Sequence, residues 1–183
     1  MSEDEVNREL LERWALFYLA RYASSAENLR RILLRRLRRR APLDREASAR
    51  ARALIEGLVA GYERQGLIDD RAYAEGRARS LLRHGTPPPA IGMRLRAKGV
   101  APDIASGALA ALAAESGEVD LGLAAACAFA RRRRLGPYRR AGAERAKELA
   151  AFARAGFARA IAEAVLACKD AEAAEALIRR EPD

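Results

Sequence analysis

The sequence is short of nearly everything that marks an enzyme. It has one histidine, two cysteines and few aromatics, at 5%. His84 stands beside Gly85 at the end of a helical stretch, where an imidazole meets exposed carbonyls and the negative end of the helix dipole rather than a substrate. Cys127 and Cys168 lie on separate alanine-rich stretches without paired spacing and read as small buried thiols of a reducing cytoplasm. No Cys/His cluster has metal-ligand spacing, and neither glycine-rich phosphate loop is present, so no metal, nucleotide or other cofactor is expected. No run of about 18 apolar residues occurs, which excludes a transmembrane helix. The opening MSEDEVNREL is acidic and polar, unlike a signal peptide. No segment alternates with period two or is rich in β-branched residues, so strands are not expected. Asp69 and Asp70 are adjacent carboxylates, but neighbours at a helix start do not converge on one substrate atom, and capping explains them. The protein reads as a non-enzyme.

What is present is positive charge. The net charge is +9 and the pI about 10.3. Of the 34 basic residues only Lys98, Lys147 and Lys169 are lysine. Arginine preference together with alanine richness can reflect a GC-rich genome; the net charge still calls for a nucleic-acid or acidic protein partner. Half the residues are hydrophobic, many of them alanine, so each helix has a thin apolar face and several small cores are expected over one large one.

The chain is organised around residues 67–112, where three helices are punctuated by caps. Asp69 and Asp70 supply an N-cap carboxylate and a negative first turn for a helix carrying Tyr73, Ala74, Ala78, Leu81 and Leu82. Gly85 stops it; Thr86 and Pro87, Pro88 and Pro89 form a stiff link into a second helix, with Ile91, Met93 and Leu95 as its apolar side. Gly99 stops that helix, Val100 packs back over it, and Pro102 and Asp103 open a third. The first part has the same arrangement. Leu11, Trp14, Ala15, Tyr18, Leu19 and Tyr22 fall at helical spacing; Ser24 or Ser25 caps a basic helix with Leu29, Ile32, Leu33 and Leu37 inside; Pro42 ends it. A third helix runs from about Ser48 to Gln65, Gly66 caps it and Leu67 packs back. The last part repeats the scheme: a helix over 119–135 ended by Gly136 and Pro137, another over 144–155, and a Gly156-Phe157 stop. This is a degenerate repeat of roughly fifty residues. The expected fold is all-α: three tandem three-helix repeats in an elongated array. The divisions are a flexible acidic leader at 1–10, units at 11–66, 67–116 and 117–169, and a helical extension or tail at 170–183.

The arginines cluster, and the clusters carry the functional reading. Arg31, Arg35, Arg38 and Arg39 lie opposite the leucines of the second helix; Arg131, Arg132, Arg133 and Arg134 form a run; Arg77, Arg94 and Lys98 lie between. A single arginine is usually solvated or paired with a carboxylate such as Glu27 or Glu144. Like charges at i, i+4 repel by a few tenths of a kcal/mol per pair, so an uncompensated basic face points to a polyanionic partner. Trp14, Tyr18 and Tyr22 read as core, which gives no aromatic platform for stacking bases.

Gly66-Leu67-Ile68-Asp69-Asp70 with Tyr73, then Gly85, then Ile91, Leu95 and Lys98-Gly99-Val100 resembles the RecX family, regulatory proteins of the RecA recombinase. Ala15-Leu16-Phe17-Tyr18-Leu19-Ala20-Arg21, with Ser25, Leu29, Leu33 and Leu37, is similar to the family's first unit, and the likeness extends over most of the chain. The loop 41–47 and the arginine-rich composition depart from the pattern. The resemblance implies a cytoplasmic protein of DNA repair, recombination and the SOS response, with its three-helix repeats in an elongated, curved array. Such a protein lies along the groove of the RecA–single-stranded DNA filament and inhibits ATP hydrolysis, strand exchange and co-protease activity. The expected partner is the RecA filament, with direct contact to single-stranded DNA open, no membrane, and a monomeric state. The competing expectation is a module that binds DNA directly, of helix-turn-helix or nucleoid type.

Overall fold

The computed structural model describes residues 7–40, 44–117, 119–139 and 144–178. Among them are ten α-helices, one 3-10 turn and no strand, so the fold is all-α as expected. The helices are α1 Arg8–Leu19, α2 Ala26–Arg40, α3 Arg45–Arg64, α4 Asp70–Arg83, α5 Pro88–Ala97, α6 Pro102–Ser116, α7 Leu121–Arg133, α8 Arg145–Ala155, α9 Arg159–Ala167 and α10 Ala171–Ile178. Tertiary contacts sort into two compact units, one within Met1–Ala74 plus Ala97–Ala101, the other within Glu75–Arg96 plus Pro102–Asp183.

In the first unit, α1, α2 and α3 bury Leu11, Trp14, Leu29, Leu33, Leu37, Ile55, Leu58, Val59 and Tyr62 around one core, which Ile68 completes. Each helix contributes residues three or four apart, so one stripe faces inward. The helix starts are hydrogen-bonded to side chains. Asn7 accepts the Leu10 N–H at 2.9 Å and Asp44 the Ala47 N–H at 2.7 Å. Ser25 accepts the Asn28 N–H at 3.2 Å, which settles the choice between Ser24 and Ser25 as cap of α2.

In the second unit, Phe129, Phe152 and Phe157 meet with ring centroids 5.0–5.4 Å apart at the centre of a core built from α7, α8, α9 and α10. Leu82 of α4 packs against it. The 3-10 turn Gly136–Tyr138 is pinned by Glu148, only 2% exposed, which accepts the Gly136 N–H at 2.8 Å and lies 3.5 Å from the Arg139 guanidinium.

Several expectations are corrected. Arg8, Glu9 and Leu10 are the first turn of α1 and not leader; residues 1–6 lie outside the described residues. Arg45, Glu46 and Ala47 open α3 because Asp44 caps it, so the expected loop 41–47 is shorter at its end; residues 41–43, with the expected stop at Pro42, lie outside the described residues. Leu67 does not pack back over Gly66: it is 48% exposed, and Ile68 enters the core instead. Met93 is 57% exposed because it is two residues from both Ile91 and Leu95, about 200° away on the helix. Tyr22 is 59% exposed because α1 ends at Leu19, so the helical spacing that placed Tyr22 on the core face no longer applies. Helix α7 starts at Leu121, capped by Asp120, and stops at Arg134, not at Gly136. The tail is a helix of its own: α9 ends at Ala167, and Asp170 accepts the Ala173 N–H at 2.8 Å to start α10. Residues 179–183 lie outside the described residues, as do Arg140 and its neighbours 141–143.

Candidate functional site

The sequence motif around Asp69 and Asp70 works as a set of structural ties. Asp69 accepts the Ala72 N–H at 2.9 Å and caps its own helix, α4. Asp70 does something else: its carboxylate accepts the Ala26 N–H at 2.8 Å, at the first residue of α2. A negative group at the positive end of α2 is favourable, and it satisfies a backbone donor that has no partner within the helix. The Lys98-Gly99-Val100 segment meets the same end of α2. Ser25 donates its hydroxyl to the Lys98 carbonyl, and the Glu27 side chain lies where a Cβ on Gly99 would stand. Val100 is buried. Gly66, Gly85 and Gly99 all hold positive φ, at 70°, 75° and 80°, as helix stops. Tyr73 is half-buried on α4. These motif residues build the scaffold, and of the large apolar ones among them only Leu67 is exposed.

The basic residues divide into engaged and free. On α2, Arg30 pairs with Glu56 of α3 at 2.8 Å, and Arg36 stacks over the Trp14 ring at 4.4 Å. Arg31 pairs with Glu27 at 2.8 Å and donates to the Ala97 carbonyl at 3.0 Å, so it closes the α2–Lys98 contact. Arg35, Arg38 and Arg39 are exposed, lie on one face, and have no carboxylate partner among the described residues. That face is opposite the buried Leu29, Leu33 and Leu37. The Lys98 side chain is exposed near the start of α2, not at the Arg35–Arg39 end.

In the second unit Arg77 of α4 is exposed, and Arg94 of α5, also exposed, donates to Thr86 at 3.0 Å. Arg131 pairs with Glu175 of α10 at 2.7 Å, and its guanidinium lies over the Tyr138 ring at 5.3 Å. Arg133 lies 5.9 Å from the Phe129 ring centroid. Arg132 and Arg134 are exposed without an ion-pair partner among the described residues. Arg134 has φ 57°, the only left-handed non-glycine residue among the described residues. It stands where α4 and α8 use Gly85 and Gly156. Burial, with a smaller push from Cys168, raises the Cys127 thiol to about 11, so it stays protonated and unreactive near neutral pH. His84 has its Nδ1 at 2.6 Å from the Ser80 carbonyl, the end-of-helix role its position implied. No group of three or more His, Cys, Asp or Glu that could hold a metal occurs among the described residues, and no helix there is long and apolar enough to cross a membrane.

An apolar cleft of about 630 Å³ in the first unit, not expected from the helical spacing, is lined by Leu16 of α1, Tyr22 just past its end, Leu67 of the turn after α3 and Tyr73 of α4. A signal for it was there: residues 15–20 are six consecutive apolar residues, and one helix cannot turn all of them inward.

Among the described residues the arrangement presents exposed cations and an apolar cleft. A family model described as RecX, second three-helix domain, matches residues 69–109, which run from the Asp69 cap through α4 and α5 into α6. The regulatory protein RecX of Myxococcus xanthus is 39% identical over 166 residues, covering 88% of this chain and 87% of that protein. The chain belongs to the RecX family. The regulatory protein RecX of Agrobacterium fabrum is 35% identical over 166 residues, covering 89% of this chain and 85% of its own length. Two solved RecX structures share the fold. One, a crystal structure of the regulatory protein RecX, has a TM-score of 0.55 at 20% identity, over 86% of this chain and 70% of the other. The RecX of Lactobacillus salivarius has a TM-score of 0.52 at 21% identity, over 91% and 96%. RecX relatives are thus named as regulatory proteins, and the all-helical architecture is common to them.

Proposed function

We propose that this protein regulates the RecA recombinase by binding the RecA–single-stranded DNA filament and inhibiting its ATPase, strand-exchange and co-protease activities. The observation that carries the reading is membership of the RecX family at 39% identity over 88% of the chain. The action is binding, not catalysis. Three tandem helical units, at 11–66, 67–116 and 117–169, would lie along the filament groove of a cytoplasmic partner, with the chain itself monomeric. The contact residues proposed are the exposed Arg35, Arg38 and Arg39 first, then Arg77, Arg94, Lys98, Arg132 and Arg134. Arg31, Arg131 and Arg133 rank lower because Glu27, Glu175 and the Phe129 ring already engage them.

Free arginines favour an acidic protein face or phosphate, so direct DNA binding is the second reading. Co-sedimentation of the full chain with RecA filaments on single-stranded DNA, beside the same DNA without RecA, separates the two. Filament binding that exceeds binding to bare DNA supports the first reading. Equal binding to both, lost steeply as salt rises, supports the second.

A further inference from the structure

The seam between α2 and α3 changes character along its length. Near the start of α2, Arg30 meets two carboxylates from the later half of α3, Glu56 at 2.8 Å and Glu63 at 3.6 Å. Only residues 41–44 separate the end of α2 from the start of α3, so the two helices run antiparallel. Arg30, Leu34 and Arg38 are four residues apart and form one stripe of α2 beside α3. Leu34, half-buried, packs against the core of the unit. At about 100° per residue, Glu63, Glu56, Arg52 and Arg45 of α3 lie within about 40° of one another, on the facing stripe.

The register of the two stripes follows. Arg38 is eight residues, or about 12 Å, beyond Arg30 on α2. Eight residues back from midway between Glu56 and Glu63 is the level of Arg52, and Arg45 comes next, at the helix start. The seam is therefore paired acid to base at one end and carries only base at the other. Arg38, Arg45 and Arg52 are exposed and have no carboxylate partner among the described residues. Asp44 is committed to the Ala47 N–H at 2.7 Å, and Glu46 stands about 100° around α3 from Arg45.

The helices themselves account for only one of these three charges. Arg38 is in the last turn of α2, where the helix dipole favours a cation. Arg45 is in the first turn of α3, where the dipole opposes one, and Arg52 is too far inside α3 to feel either end. Like charges brought together in this way weaken the fold slightly.

The paired end of the seam shows what fits the other end. There a guanidinium between the helices holds two carboxylates that stand seven residues apart on a helix. No aromatic side chain lies on either stripe, so bases would find no surface to stack on.

We propose that the Arg38–Arg45–Arg52 end of this seam is the docking site for an acidic segment of the partner protein, whose carboxylates lie between α2 and α3 as Glu56 and Glu63 do farther along. The inference rests on the regulatory reading above and names the chemistry of one contact within it, adding Arg45 and Arg52 of α3 to the arginines of α2.

The test uses the full chain with RecA filaments on single-stranded DNA and reads the concentration for half-inhibition of ATP hydrolysis. Binding to the same DNA without RecA and a urea melt are measured beside it. The variants are Arg45→Glu, Arg52→Glu and, as control, Arg50→Glu. Arg50 is exposed on α3 but about 140–160° around it from the two seam arginines, so it carries the same charge change off the seam. Arg45→Glu and Arg52→Glu are each expected to raise the half-inhibition concentration about tenfold, with Arg50→Glu close to the unaltered chain. The urea midpoints of the two seam variants should be equal to or above that of the unaltered chain, because repulsion is relieved. Equal effects of all three variants, or no effect of any, overturn the docking site and leave the regulatory reading standing. Loss of binding to bare DNA in the same proportion assigns the seam to phosphate and overturns the acidic segment. A midpoint lowered in step with the lost inhibition traces the effect to the fold and overturns the contact. Absence of inhibition by the unaltered chain overturns the regulatory reading itself, and the docking site with it.

Discussion

Replacing Gly85 by alanine should be far more damaging than replacing Gly156, although the two occupy the same kind of helix stop in the same compact unit. Gly85 has φ 75° and Gly156 φ 91°. An L side chain in the left-handed region costs about 1–2 kcal/mol, partly offset by about 0.4–1 kcal/mol because alanine narrows the unfolded ensemble. Those contributions are shared. The difference lies in the neighbours. A Cβ on Gly85 would stand 2.5 Å from the Cα and 2.8 Å from the Cβ of Phe129, so α7 itself blocks it and no rotamer change gives relief. A Cβ on Gly156 would meet only the Pro87 ring at 3.7 Å, an ordinary van der Waals contact. Forcing the extra methyl against a helix backbone adds about 1–3 kcal/mol, occasionally more. For a chain of this size about 1 kcal/mol moves the melting temperature by roughly 2–4 °C. Scanning calorimetry should therefore show Gly85→Ala melting at least several degrees below Gly156→Ala. Equal shifts for the two variants would refute the close approach of the α4 stop to α7.

Arg134 holds a left-handed conformation at the end of α7, so Arg134→Gly should raise stability by about 1 kcal/mol in a denaturant melt; no gain would mean the strain is absent. Asp70→Ala removes the tie to the start of α2 and should cost about 1–2 kcal/mol, whereas Asp70→Asn, which keeps an acceptor oxygen, should cost distinctly less. Burial raises the Cys127 thiol to about 11, with Tyr62 and Tyr138 raised in the same direction. The folded state then holds protons that the unfolded state releases, so this contribution is full below the unfolded thiol value near 8.5 and is lost as pH climbs toward 11. Urea midpoints measured from pH 8 to 11 should fall, and Cys127 should resist alkylation at pH 8 until the chain is unfolded.

The helices were legible because their ends are written locally. Gly66, Gly85, Gly99 and Gly156 sit where the chain needs positive φ, and Asp69 sits three residues before the N–H it accepts. What was not legible depends on residues far apart. Asp70 looks like a second cap for its own helix, and only the fold brings it to Ala26, 44 residues away. Arg134 carries no local sign of a left-handed conformation; glycine two positions on drew the helix end there. The arginine clusters were visible as composition, but which arginines are occupied depends on Glu56 for Arg30 and Glu175 for Arg131, both contributed by other helices. Tyr22 and Leu67 read as packing inward from their spacing and from the glycine stop, and their exposure appears only once the core is filled without them.

The most direct measurement is RecA ATP hydrolysis on single-stranded DNA, at concentrations of this chain that bind no free DNA, with a charge-reversed variant carrying Arg35→Glu, Arg38→Glu and Arg39→Glu beside it. The account predicts inhibition by the unaltered chain and weaker inhibition by the variant at the same helix content. Undiminished hydrolysis in the presence of the unaltered chain, together with tight salt-sensitive binding to duplex DNA, would contradict it.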